Sequence, residues 1–190
     1  MPNTWLLTII IICAYAGYKI TDDFSLFARE VLGYTETNAA GAGTLALWIR
    51  ALVAILAGYL ADRYSRAHII TISFALTLIS ALLIGYRIFE GIAPLLVLNL
   101  VLTAVGIYGV RALYFAVMNE AGFPVAFTGT AVGIVSFAGF APEIFVSPWM
   151  GHLLDQNPGA TGHAHVFLLL GAFALLGLLA GLLFRRSSRS

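Results

Sequence analysis

Six ionisable residues interrupt stretches of this chain that are otherwise apolar: Lys19, Asp22, Asp23, Arg50, Arg111 and Glu143. A charge at the centre of a bilayer opposes insertion by about 2.5–3.5 kcal/mol on translocon scales, and by less toward the ends of a span. Six such charges together outweigh a typical domain stability of about 5–15 kcal/mol, so they must face protein or water and pair with one another. Lys19, Asp22 and Asp23 stand at i, i+3 and i+4, and Tyr15 extends the same helical face by one turn. That face could line a cavity and bind a small solute or a proton. Alternatively, Asp22 and Asp23 are hydrated at a helix end and Lys19 snorkels to them.

Arg111 is flanked at helical spacing by Tyr108, Tyr114 and Phe115. A guanidinium is a rigid fork that suits carboxylate or phosphate, and the rings would give it an apolar wall. The competing readings are an internal ion pair or snorkelling past Met118, about 10 Å away by helix rise. Arg50 lies midway along an apolar run, and Glu143 follows Pro142, where a backbone hydrogen bond is lost. Desolvation favours the protonated form of a carboxylate at such a place. Glu143, Asp22 or Asp23 could therefore carry a proton, or Glu143 could form a structural salt bridge with Arg50.

The elements that hold these residues follow from composition. Hydrophobic residues make up 61% of the chain and charged residues 10%, against about 25% charged in soluble domains. One soluble core cannot hide that much apolar surface, so the chain reads as an integral membrane protein with lipid as a partner. Helices are expected at Thr4 to Phe27, Gly43 to Ala61, Ala67 to Tyr86, Gly91 to Met118, Phe127 to Gly151 and Val166 to Phe184. The runs are too long, and alternate too little, for barrel strands. The expected fold is all-α: a polytopic bundle of six transmembrane helices forming a single domain over residues 1–190. Residues 4–90 and 91–184 would be two three-helix units, and 185–190 a basic tail.

Arg63, Arg66, Arg185, Arg186 and Arg189 fall on one side of such a bundle, and Arg29 and Arg87 on the other, which predicts both termini in the cytoplasm. A signal peptide is disfavoured, because no basic residue precedes Lys19. The net charge of +1 and the lack of a basic stripe speak against nucleic acid. Cys13 is alone, which leaves no disulfide framework. His152, His163 and His165 cluster with Pro158 and Gly159 in what reads as a loop, without a cysteine or paired carboxylate to suggest a metal. No phosphate loop, nucleophile motif or zinc-helix motif is present, so neither a cofactor nor an enzyme is expected.

The segment Gly58-Tyr-Leu-Ala-Asp62-Arg63-Tyr-Ser-Arg66 separates two apolar runs by a turn of four or five residues. It resembles the signature between the second and third helices of each half of major facilitator superfamily transporters. Gly58, Leu60, Asp62, Arg63 and Arg66 match, and Ser65 stands where the family usually has glycine. Gly151-His-Leu-Leu-Asp155 echoes Gly58-Tyr-Leu-Ala-Asp62 about half a chain length later, as an inverted three-plus-three repeat would. The run from Thr128 to Asp155 is similar to the eleventh helix of many bacterial members. The resemblance implies a six-helix half, best matched to a carboxy-terminal half, of a secondary transporter that works by alternating access with proton coupling or exchange. It implies a substrate path lined by Tyr15, Lys19, Asp22, Asp23, Tyr108, Arg111 and Tyr114, with Arg50 and Glu143 on its flanks. Gly58, Asp62, Arg63 and Arg66 would form a gate, Asp62 pairing with Arg66 or capping a neighbouring helix. The embedded arginines favour a small organic anion. A lone half would need a second half or a homodimeric copy; otherwise the chain is a fragment or a non-transporting scaffold.

Overall fold

The structure, a computed structural model, describes residues 2–114, 116 and 128–187. Helices α1 (Pro2–Ile20) and α2 (Phe24–Glu30) are joined by a single 3-10 turn, Thr21–Asp23. Then follow α3 (Glu36–Arg63), α4 (Arg66–Gly85), α5 (Ala93–Leu113), α6 (Thr128–Phe140), α7 (Pro142–Gln156) and α8 (Ala160–Ser187). No strand occurs among the described residues. Five stretches are long and apolar enough to cross a membrane: Thr4–Glu30, Glu36–Arg63, Arg66–Gly85, Ala93–Leu113 and Ala160–Ser187. The chain is therefore a polytopic helical membrane protein. The expected boundaries at Met118 and Phe127, and Phe115 and Arg189, lie outside the described residues.

Several boundaries depart from the hydropathy reading. Helix α3 begins at Glu36 rather than Gly43. Thr35 is extended (φ −61°, ψ 159°) and its side chain accepts from the Asn38 amide at 3.4 Å, so a polar cap starts the helix ahead of its apolar run. The fifth expected helix is two, because Pro142 has no amide proton and opens α7 just after α6 ends at Phe140. The turn between α3 and α4 is only Tyr64 and Ser65, both extended.

Helix α4 lies against both α8 and α5, α8 also packs on α1, and α1 touches α5. Helix α3 leans on α5, and α6 and α7 lean on α1. Exchanging α1 with α5, α3 with the α6–α7 pair, and α4 with α8 leaves these principal pairings unchanged. The α2–α3 contact is the exception. The helices meet through small residues. A methyl group at Gly106 would collide with Thr77 and Ser73 of α4, and one at Gly177 with the ring of Phe74. Helix α3 buries Ala39, Ala46, Val53, Ala57 and Ala61 along one stripe, the close approach expected between membrane helices. By contrast a methyl group at Gly129 or Gly133 would meet open space among the described residues. Trp48, Leu52 and Ile55 on α3, Phe137 on α6 and Ile144 on α7 point outward, as lipid-facing side chains do.

Candidate functional site

One face of α1 carries Tyr15, Tyr18 and Lys19, and three other helices bring ionic groups to it. Helix α5 supplies Tyr108 and Arg111, with Tyr114 one residue past its end; α3 supplies Arg50, and α7 supplies Glu143. The Arg111 Cζ stands 3.6 Å from the centroid of the Tyr18 ring and 5.4 Å from that of Tyr15. Arg50 reaches the same Tyr18 ring at 5.7 Å. Tyr18 thus holds two guanidiniums by its π-face, a contact favoured electrostatically. Arg50, Arg111, Tyr108, Tyr114, Ala54 and Ala112 line a cavity of about 180 Å³. Tyr108 and Tyr114 are buried, whereas Arg50 is exposed.

Neither arginine forms an ion pair with a carboxylate among the described residues, and Arg111 Nη1 is buried without a hydrogen-bond partner. A buried donor left unmade costs about 1–3 kcal/mol, more when charged. A guanidinium nitrogen without a hydrogen-bond partner, close to a second arginine, could receive an oxygen of an anion.

The other end of the strip is balanced. Lys19 Nζ meets Asp22 Oδ2 at 2.8 Å and Glu143 Oε1 at 3.5 Å. Tyr15 donates its hydroxyl to Glu143 Oε2 at 2.8 Å. Tyr15 therefore bridges the two ends, its ring beside Arg111 and its oxygen on Glu143. A crevice of about 310 Å³ opens here, lined in part by Lys19, Asp22, Asp23, Ser147 and Met150.

Several expectations change. Glu143 pairs with Lys19 and Tyr15 and not with Arg50, because α7 leans on α1 while Arg50 comes from the opposite flank. Asp22 is exposed and Lys19 turns to it. Asp23 turns its carboxylate toward α8, where its Oδ2 lies 2.7 Å from His163 Nδ1, while the residue still borders the crevice beside Lys19 and Asp22. His163 is not in a loop but in the first turn of α8, fully buried. In the signature turn, Asp62 and Arg63 are exposed and Asp62 forms no ion pair among the described residues. Arg66 donates to the Ala116 carbonyl at 3.5 Å, and space beside Gly58 is open. Sequence reasoning missed Tyr18, although its i+3 spacing from Tyr15 and i−4 spacing from Asp22 were readable. It also missed Glu30, which no local pattern singles out.

No family model matches the chain, and no solved structure matches it. It is 30% identical to the inner membrane protein YqcE of Escherichia coli K12 over 198 residues, covering 98% of this chain and 45% of that protein. It is also 40% identical over 67 residues to the inner membrane protein YihN of the same organism, covering 35% of this chain and 16% of that protein. The chain thus spans about half the length of the first of these relatives and less of the second.

Proposed function

We propose that this chain is a six-helix half of a secondary transporter of the major facilitator kind, in a bacterial inner membrane, binding a small organic anion on the strip that runs from Arg50 to Lys19. The single observation that carries this reading is the buried, unpartnered Arg111 nitrogen beside Arg50. Two cations held on aromatic faces, with no carboxylate paired to them among the described residues, form a site that a carboxylate or phosphate would complete.

Other features support the setting. The helix pairings that survive exchange of the first three spans with the last three are what an inverted repeat would produce. In that reading α6 and α7 act together as a sixth span broken at Pro142, and both termini face the cytoplasm. The strip then faces a second half or a second copy, and rocking of one bundle against the other exposes it to either side in turn. In this reading Glu143, held by Tyr15 and Lys19 beside the wall that the substrate touches, would take up a proton only as the substrate draws those partners away.

The test is uptake into vesicles reconstituted with the chain together with whatever half it pairs with, using gluconate and glucose 6-phosphate as probes and glucose as the neutral control. Uptake of an anion lost in Arg111→Gln supports the reading. Anion uptake unchanged by that substitution removes Arg111 from the substrate path. A monomer in mild detergent that binds none of the probes argues for a scaffold.

A further inference from the structure

Away from the arginine strip, His163 is clamped between two carboxylates. Its Nδ1 lies 2.7 Å from Asp23 Oδ2 and its Nε2 lies 3.1 Å from Glu30 Oε2. Asp23, Phe27 and Glu30 stand at i, i+4 and i+7, so one face of the 3-10 turn and α2 meets the first turn of α8. The Phe27 ring packs edge-on to the imidazole at 5.5 Å and to Phe167 at 5.4 Å. Side-chain exposure is 0% for His163, 1% for Asp23 and 38% for Glu30.

Each of these two contacts requires one proton between nitrogen and oxygen. Three groups therefore share two protons, most simply as an imidazolium donating to both carboxylates. With one proton fewer, a ring lone pair would face a carboxylate oxygen, and one contact must open. The Asp23 side chain is buried, whereas Glu30 ends α2 at the surface. The charged groups on neighbouring elements are engaged elsewhere or exposed. Lys19 holds Asp22 and Glu143, Arg29 holds Glu36, and Arg87 holds Glu90 and reaches Thr161 at 3.5 Å. Asp155 and His152 on α7 are exposed, and His165 points away as a half-buried residue of α8. No cation besides the imidazole touches either carboxylate among the described residues.

We infer that Asp23, His163 and Glu30 form a proton-binding site that fastens the end of α2 to the start of α8, and that release of one proton through Glu30 unfastens it. The Nε2 proton passes to water by way of the Glu30 carboxylate. The site goes from one net negative charge to two, and Glu30 swings into solvent while Asp23 keeps the remaining proton bond. The segment so freed is the turn to α3. There Gly33 takes a left-handed conformation (φ +68°), and the Tyr34 amide donates back to the Ala28 carbonyl at 3.1 Å, the closing bond of a helix C-cap. Leu32 and Tyr34 from this turn, with Asn38 at the start of α3, line an apolar cavity of about 200 Å³ between α2, α3 and α5, so the proton bears on access to it. This site stands whether or not the chain carries an anion.

Two readouts on the full chain in detergent test it. The first is the nitrogen spectrum of ¹⁵N-histidine, and the second is the mobility of a nitroxide at Tyr34→Cys in a Cys13→Ser background. The expected result is one ring with both nitrogens protonated, absent in His163→Gln. Alkaline titration should remove its Nε2 proton and raise nitroxide mobility with the same midpoint. Glu30→Ala, at a partly exposed position, should leave the nitroxide mobile at every pH and abolish the step. A wild-type ring that carries a single proton, a nitroxide indifferent to pH, or a step that persists in Glu30→Ala would overturn the inference.

Discussion

Replacing Arg111 by Met separates a ligand-binding cation from a structural one. The substitution removes the cation–π contact with Tyr18 at 3.6 Å and a longer one with Tyr15 at 5.4 Å. These stabilise by about 2 kcal/mol for a desolvated pair and about 0.5–1 kcal/mol for a weaker one. Against that loss, it removes a guanidinium nitrogen that is buried without a partner, relieving about 1–3 kcal/mol. It also removes a charge held at membrane depth near a second arginine, and the methionine retains the apolar stem. The two sides nearly cancel, so stability should change by less than about 1.5 kcal/mol, a shift in Tm below about 6 °C for a chain of this size. Breaking a buried salt bridge would instead cost about 3–5 kcal/mol. Intrinsic-fluorescence melting in detergent, wild type beside Arg111→Met, measures the difference. A loss of about 3 kcal/mol or more would show that Arg111 ties the bundle together and would refute the argument that its charge awaits a ligand.

Gly106→Ala should destabilise the bundle by about 1–3 kcal/mol, because its methyl collides with Thr77 and Ser73. Gly133→Ala, with open space around it, should change stability by less than about 0.5 kcal/mol in the same melt. Asp23→Ala should cost about 1–3 kcal/mol by leaving the buried His163 Nδ1 without a partner while Glu30 still holds Nε2. Asp22→Ala, which removes an exposed carboxylate and leaves Lys19 paired with Glu143, should cost under about 1 kcal/mol; equal effects from the two neighbours would contradict their different partners.

The membrane helices were legible because lipid demands long apolar runs, and five stretches of spanning length match that demand. Their polar ends were less so: the cap at Thr35 and the first turns of α8 carry Glu36, Thr37, His163 and His165, which a hydropathy reading assigns to loops. The charges on α1 were legible as a helical face, since i, i+3 and i+4 spacing holds while the helix is regular. The 3-10 turn at Thr21–Asp23 breaks that spacing and sends Asp23 to α8, and sequence periodicity carries no sign of it. The partner of Glu143 was equally hidden. It depends on which helix α7 leans against, and the Lys19–Glu143 and Arg50–Glu143 alternatives look the same in a linear chain. Tyr18 went unread because a tyrosine on an apolar helix is ordinarily core, and only two arginines arriving from α3 and α5 give its ring another role.

The central claim is that the arginine strip binds an anion, and melting the purified chain across a panel of small solutes tests it most directly. Gluconate or glucose 6-phosphate should raise the Tm of the wild-type chain in a saturable, salt-screened manner, glucose should not, and Arg111→Gln should abolish the rise. A panel in which no organic anion stabilises the wild type, or in which Arg111→Gln responds as the wild type does, would contradict the account.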